Sequence, residues 1–168
     1  MSEEYTSQDI INALAEPLAE IKKRYPTKRS AIMPALHLAQ DKYGTLDEPT
    51  YQAISEMLDV PKIWVFELAS FYTLYNDKKI GKYHLQLCTN VSCMLRGVYD
   101  LMDHLQTRLG IKKGETTEDG LFTLIAVECI GACDVAPSMM VNQTYYNDLS
   151  KERVDKILDQ LSATEKET

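Results

Sequence analysis

A chain of 168 residues with 45% apolar side chains can bury one or two small cores and is not a disordered polymer. Its net charge of −7 excludes a nucleic-acid backbone as the main partner, since that needs clustered Lys and Arg to displace counterions. No apolar run reaches the roughly 18 residues of a membrane span, so no direct membrane insertion is expected. The acidic start, Met1 to Tyr5, is neither a signal nor a transit peptide, and the expected location is cytoplasmic.

The first half reads as helical. Residues 8–25 suggest one or two short helices, interrupted near Pro17 and stopped before Pro26. A helix from Ser30, as N-cap, to Gly44 would align Ile32, Leu36, Ala39 and Tyr43 on one face, with Pro34 in its first turn. The next starts near Asp47, carries Tyr51, Ile54 and Leu58 as its stripe, and ends before Pro61. Residues 62–74 are apolar nearly all round, the pattern of a buried helix. They also hold Trp64, Phe66, Phe71 and Tyr72, more aromatic surface than a small bundle needs, which points to docking on a partner.

The polar segment Asn76 to Gly81 marks a boundary, giving domains 1–78 and 79–168. Beyond it Tyr83, Leu85 and Leu87 alternate with polar residues as in a strand. Met94, Val98, Leu101, Leu105 and Leu109 recur at helical spacing up to Gly110. Leu121 to Val127 reads as a strand covered on both faces, and Met139 to Val141 as a short further strand. Ser150 caps a last helix bearing Val154, Ile157, Leu158 and Leu161, with a frayed tail from Ala163. This alternation of strands and helices is a small α/β domain.

The four cysteines form two pairs, Cys88 and Cys93 as C-x4-C and Cys129 and Cys133 as C-x3-C, each directly after a predicted strand. If those strands are parallel neighbours, both loops leave the sheet at one end, where ligands of open α/β sheets bind. Clustered thiols in a reducing compartment are metal ligands more often than disulfides. A [2Fe–2S] cluster needs two soft anionic ligands per iron, which two local pairs supply. Local pairing closes the smallest rings, so Cys88 and Cys93 should share one iron and Cys129 and Cys133 the other. Structural zinc stays open on spacing alone, although neither pair is a C-x2-C knuckle. Thioredoxin-type redox chemistry lacks its C-x-x-C, and plant-type ferredoxin spacing is absent.

Several stretches carry a family resemblance: residues 28–32 (KRSAI), 36–40 (LHLAQ), 71–73 (FYT), 88–93 (CTNVSC), 95–97 (LRG), 128–133 (ECIGAC) and 136–142 (APSMMVN). In this order they resemble the E subunit of bacterial NADH:quinone oxidoreductase (complex I), over residues 20–160. The resemblance implies an N-terminal helical bundle followed by a thioredoxin-like [2Fe–2S] ferredoxin domain, with the cluster on Cys88, Cys93, Cys129 and Cys133. It implies FMN and NADH on a neighbouring flavoprotein subunit, and a place on the cytoplasmic periphery of a membrane-associated complex. Similar subunits serve NAD-linked hydrogenases and formate dehydrogenases, which is the alternative. A redox-sensing DNA-binding regulator, suggested by a helix–turn–helix flavour in residues 51–72, is the remote one; helix 62–74 is too apolar to read bases.

None of the seven glycines forms a phosphate-cradling motif, so no catalytic activity is expected from the isolated chain. His37 reads as a capped or interface histidine, and His84 and His104 are assigned no chemistry. Met139 and Met140 read as core, and Arg96 as either a surface ion pair or a positive charge beside the cluster. Tyr145 and Tyr146 fit an interface or a half-buried sheet position equally.

Overall fold

The computed structural model describes residues 5–166. The chain divides into two compact units, Met1–Lys79 and Ile80–Thr168. Asn76 belongs to the first: its N–H donates to Gln40 Oε1 at 2.7 Å, and its carbonyl accepts from Leu46. Gly81 belongs to the second, where its N–H donates to Thr123 Oγ1 at 2.6 Å. Among the described residues no helix is long and apolar enough to cross a membrane.

The first unit holds four helices, α1 (Ser7–Arg24), α2 (Ile32–Tyr43), α3 (Glu48–Leu58) and α4 (Lys62–Phe71). α1 opens on a capping box in which Thr6 and Asp9 satisfy each other's backbone N–H groups. It runs unbroken through Pro17, contrary to the expected interruption. Pro17 lies on the exposed side, while Ile10, Leu14, Leu18 and Ile21 form a continuous buried stripe. Tertiary burial of that stripe outweighs the one lost backbone bond. The predicted cap at Ser30 is displaced too. Ser30 and Thr27 bond to each other's backbone, a 3₁₀ turn Arg29–Ala31 follows, and α2 starts only at Ile32. α3 starts where expected, and Asp47 caps it, accepting from Thr50 N at 3.2 Å.

α4 departs most from its sequence pattern. It ends at Phe71, and only Val65 and Ala69 are buried. It packs against α2 and α3 by that narrow stripe, leaving Ile63 58% and Phe71 76% exposed. A helix apolar on all sides is buried only where neighbours reach all sides. The bundle supplies neighbours on one.

The second unit is a four-stranded sheet in the order β2-β1-β3-β4, with β1 (Tyr83–Cys88), β2 (Phe122–Val127), β3 (Met139–Val141) and β4 (Thr144–Tyr146). β1 and β2 pair in parallel, which meets the condition set for the two cysteine loops; β3 is antiparallel to β1, and β4 to β3. Between β1 and β2 run α5 (Val91–Leu95) and α6 (Val98–Leu109); α7 (Lys151–Lys166) follows the sheet and packs on α6. Leu85, Leu87, Leu124 and Met139 meet Val98, Leu105, Val154 and Leu158 in one core.

Four readings change here. The single helix read through residues 94–109 is two, because Gly97 adopts φ +82° and turns the chain between them. Strand β4 lacks a period-2 signal, being three residues long beside a turn. β2 is an edge strand whose second half is only half-buried. The tail is helical to Lys166, since Ala163 to Lys166 contains no helix breaker; Glu167 and Thr168 lie outside the described residues. Ser150 does cap α7, accepting from Arg153 N at 3.2 Å.

Gly81 is where the second unit begins to pair. A Cβ there would stand 2.9 Å from the carbonyl oxygens of both Gly120 and Leu121. Those oxygens accept from Lys82 and Tyr83, so they cannot retreat without breaking the start of the sheet. Gly81→Ala is expected to destabilise this unit by about 1–3 kcal/mol. Urea unfolding of variant and wild type measures it, and an unchanged midpoint would contradict this packing.

Candidate metal centre

The parallel register places Cys88, the last residue of β1, beside Val127, the last of β2. Both strands therefore end at the same edge of the sheet, and the two cysteine loops leave together. Thr89 carries the pairing one residue further, its N–H donating to the Val127 carbonyl at 2.9 Å.

Asn90 then starts α5, its side chain accepting from Val91 N at 2.6 Å, and the first turn brings Cys93 inward. Cys88 and Cys93 are both buried. Cys129 and Cys133 are exposed, and Cys133 opens a 3₁₀ turn, Cys133–Val135, that packs against α5. Burial pushes the Cys93 thiol above its ordinary range. A hydrogen bond from the Ser138 backbone pulls it down, and the neighbouring Cys88 and Cys133 push it up again. These contacts bring the first pair and the second loop into one neighbourhood.

The second loop is held by its backbone. Gly131, at φ +76°, turns its N–H onto Cys129 Sγ at 3.3 Å. Ser138, fully buried, donates its hydroxyl to the Val135 carbonyl at 2.9 Å and lies 3.5 Å from that of Ala132. Its own carbonyl accepts from Cys88 N, so one residue ties the second loop to the end of β1. Tyr145 donates its hydroxyl to the Ile130 carbonyl at 3.0 Å. Sequence reasoning assigned neither Ser138 nor Tyr145 to the holding of this loop. A serine following Pro137 and a tyrosine in a short strand carry no periodic signal.

The histidines have other surroundings. The His37 ring lies tilted against that of Tyr75, and His104 Nε2 meets Asp155 at 2.8 Å. His84 is buried in β1, and burial pushes its pKa down. Met139 is core, and Arg96 closes α5.

Comparison with known proteins identifies the lineage. The model of the thioredoxin-like [2Fe–2S] ferredoxin family matches residues 18–162. The chain belongs to that family. It is 50% identical over 155 residues to the E 2 subunit of NADH-quinone oxidoreductase from Rhizobium meliloti (strain 1021), covering 92% of each chain. It is 48% identical over 145 residues to the E subunit of NADH-quinone oxidoreductase from Rickettsia conorii (strain ATCC VR-613 / Malish 7), covering 84% of this chain and 87% of that one. Among solved structures it is similar to a chain of an NAD+-reducing [NiFe]-hydrogenase in the air-oxidized state, with TM-score 0.69 and 25% identity over 79% of this chain. The chain spans only 23% of that hydrogenase chain.

The cofactor of this ferredoxin family is a [2Fe–2S] cluster, and the residues present suit it. Four thiols in two pairs, beside backbone N–H groups, are at hand as donors. Among the described residues no three His, Cys, Asp or Glu side chains converge as one ion would require. A binuclear centre asks instead for two thiolates at each of two irons.

Ser138→Ala removes the hydroxyl and leaves the Val135 carbonyl without it. A cost of about 1–2 kcal/mol to the second loop is expected, seen as lower thermal stability and faster iron loss to a chelator. Unchanged values for both would show that the backbone alone holds the loop.

Proposed function

We propose that this chain is the electron-transferring E subunit of an NADH:quinone oxidoreductase, with Cys88 and Cys93 holding one iron and Cys129 and Cys133 the other. The observation that supports the assignment is the common end of β1 and β2, from which both cysteine loops set out. Identity of 50% across 92% of such a subunit favours this complex over a hydrogenase or formate dehydrogenase, since the hydrogenase likeness is 25%. The cluster, when bound, supplies one-electron chemistry. The chain's own residues hold it, shield its inner pair from water and aim the Gly131 N–H at the sulfur of Cys129.

The proposed partner is the FMN- and NADH-binding flavoprotein subunit, on the cytoplasmic periphery of the complex. Hydride oxidation delivers two electrons to a flavin, and a one-electron carrier accepts them singly. Docking surfaces are at hand in both proposed domains, 1–78 and 79–168. In the second, Val91, Met94, Leu95 and Tyr99 form an exposed apolar patch on the segment that carries Cys93, with Leu95 78% exposed. In the first, α4 presents Ile63, Phe66 and Phe71. Exposed apolar groups of this size mark interaction sites.

Anaerobic reconstitution tests the cluster. The chain is expected to bind iron and acid-labile sulfide in equal amounts and, when reduced, to give a half-integer-spin paramagnetic signal. Serine at any of the four cysteines should reduce its iron content. Zinc filling the site of native protein, without labile sulfide even after reconstitution, would refute the reading.

Titration with the flavoprotein subunit tests the docking. Leu95→Glu and Phe71→Glu are each expected to weaken binding by about tenfold or more while cluster content is unchanged. NADH oxidation should need the partner. Wild-type affinity in both variants would remove these surfaces from the account.

A further inference from the structure

The second cysteine loop is clamped from outside by a single side chain. Tyr145, in β4, is 50% exposed, yet its hydroxyl donates to the carbonyl oxygen of Ile130 at 3.0 Å. That carbonyl shares its peptide group with the Gly131 N–H, which donates to Cys129 Sγ at 3.3 Å. One planar amide thus carries two hydrogen bonds, receiving from the tyrosine at one end and giving to the cysteine at the other. A hydrogen bond accepted at the carbonyl polarises the amide and strengthens its N–H as a donor. It also fixes the orientation of the plane. Gly131, at φ +76° with open space around it, has no side chain of its own to fix that orientation.

We propose that Tyr145 is a positioning residue that acts through the Ile130–Gly131 peptide on Cys129 Sγ and holds the reduction potential of the cluster up. The inference rests on the assignment of Cys129 as a ligand made above. Reduction adds one electron, and so one negative charge, to the cluster and its thiolates. An N–H dipole aimed at a ligand sulfur favours the reduced form and raises the potential. Without the hydroxyl the peptide is free to rock, and its N–H is a weaker donor. A purely structural role for Tyr145 predicts something else, a loop that melts earlier around a cluster of unchanged potential.

The test uses the full chain, reconstituted as wild type and as Tyr145→Phe, with redox titration followed through the paramagnetic signal of the reduced form. Equal iron and sulfide content, a midpoint moved to more negative potential and altered Fe–S stretching frequencies are expected. A second variant, Tyr145→3-fluorotyrosine, keeps nearly the same shape and is a stronger donor while its phenol is protonated. Its midpoint is expected to move the other way, and it decides the question should Tyr145→Phe fail to load. Wild-type midpoints in every variant that loads would overturn the proposal. A wild-type chain that takes up no cluster would instead refute the parent assignment.

Discussion

Everything at the candidate centre depends on the parallel pairing of β1 with β2. Parallel neighbours end at the same edge, so residues that follow each strand meet, however far apart they lie in sequence. Cys88 and Val127 are register partners, and Cys129 is two residues beyond Val127. An antiparallel pair would send the two cysteine loops to opposite ends. The crossover through α5 and α6 makes the parallel arrangement possible, and the packing of α6 on β1 and β2 holds it in place.

On that edge the two pairs are built differently. The first is set into structure: Cys88 ends a strand between two partners, Cys93 sits in a capped helical turn, and both are buried. The second lies in an irregular loop fastened at three points, by Gly131 N on Cys129 Sγ, by the Ser138 hydroxyl and by the Tyr145 hydroxyl. Burial excludes water from one side, and exposure leaves the other near solvent. An electron carrier has use for both: a sheltered side that keeps its cofactor and an open side through which charge enters and leaves. The apolar patch on α5 adds a surface by which a partner can approach this edge.

Much of this was legible in the sequence because strong periodicity and strong chemistry coincide. Leu85 and Leu87 alternate, Phe122 to Val127 is apolar, and each run is followed at once by cysteines. The edge they share was read only on condition that the strands pair in parallel, and the register meets that condition. The cap at Ser150 was legible for the same reason, as a polar side chain placed just before an apolar stripe. What escaped reading is what depends on neighbours. Pro17 stays inside a helix because the opposite face is buried. Gly97 breaks a helix whose apolar spacing continues across the break. α4 is apolar all round but has packing partners on one side only. Tyr145 and Ser138 act by single hydrogen bonds across the fold, and no local pattern marks such a bond.

The central claim is that two local cysteine pairs hold the two irons of one cluster. Crystals of the reconstituted chain, with anomalous difference maps recorded on both sides of the iron edge, test it most directly. Two iron peaks per chain are predicted, one bonded to Cys88 and Cys93 and the other to Cys129 and Cys133. A single metal peak shared by all four thiols, or irons each bridging one cysteine from either pair, would contradict it.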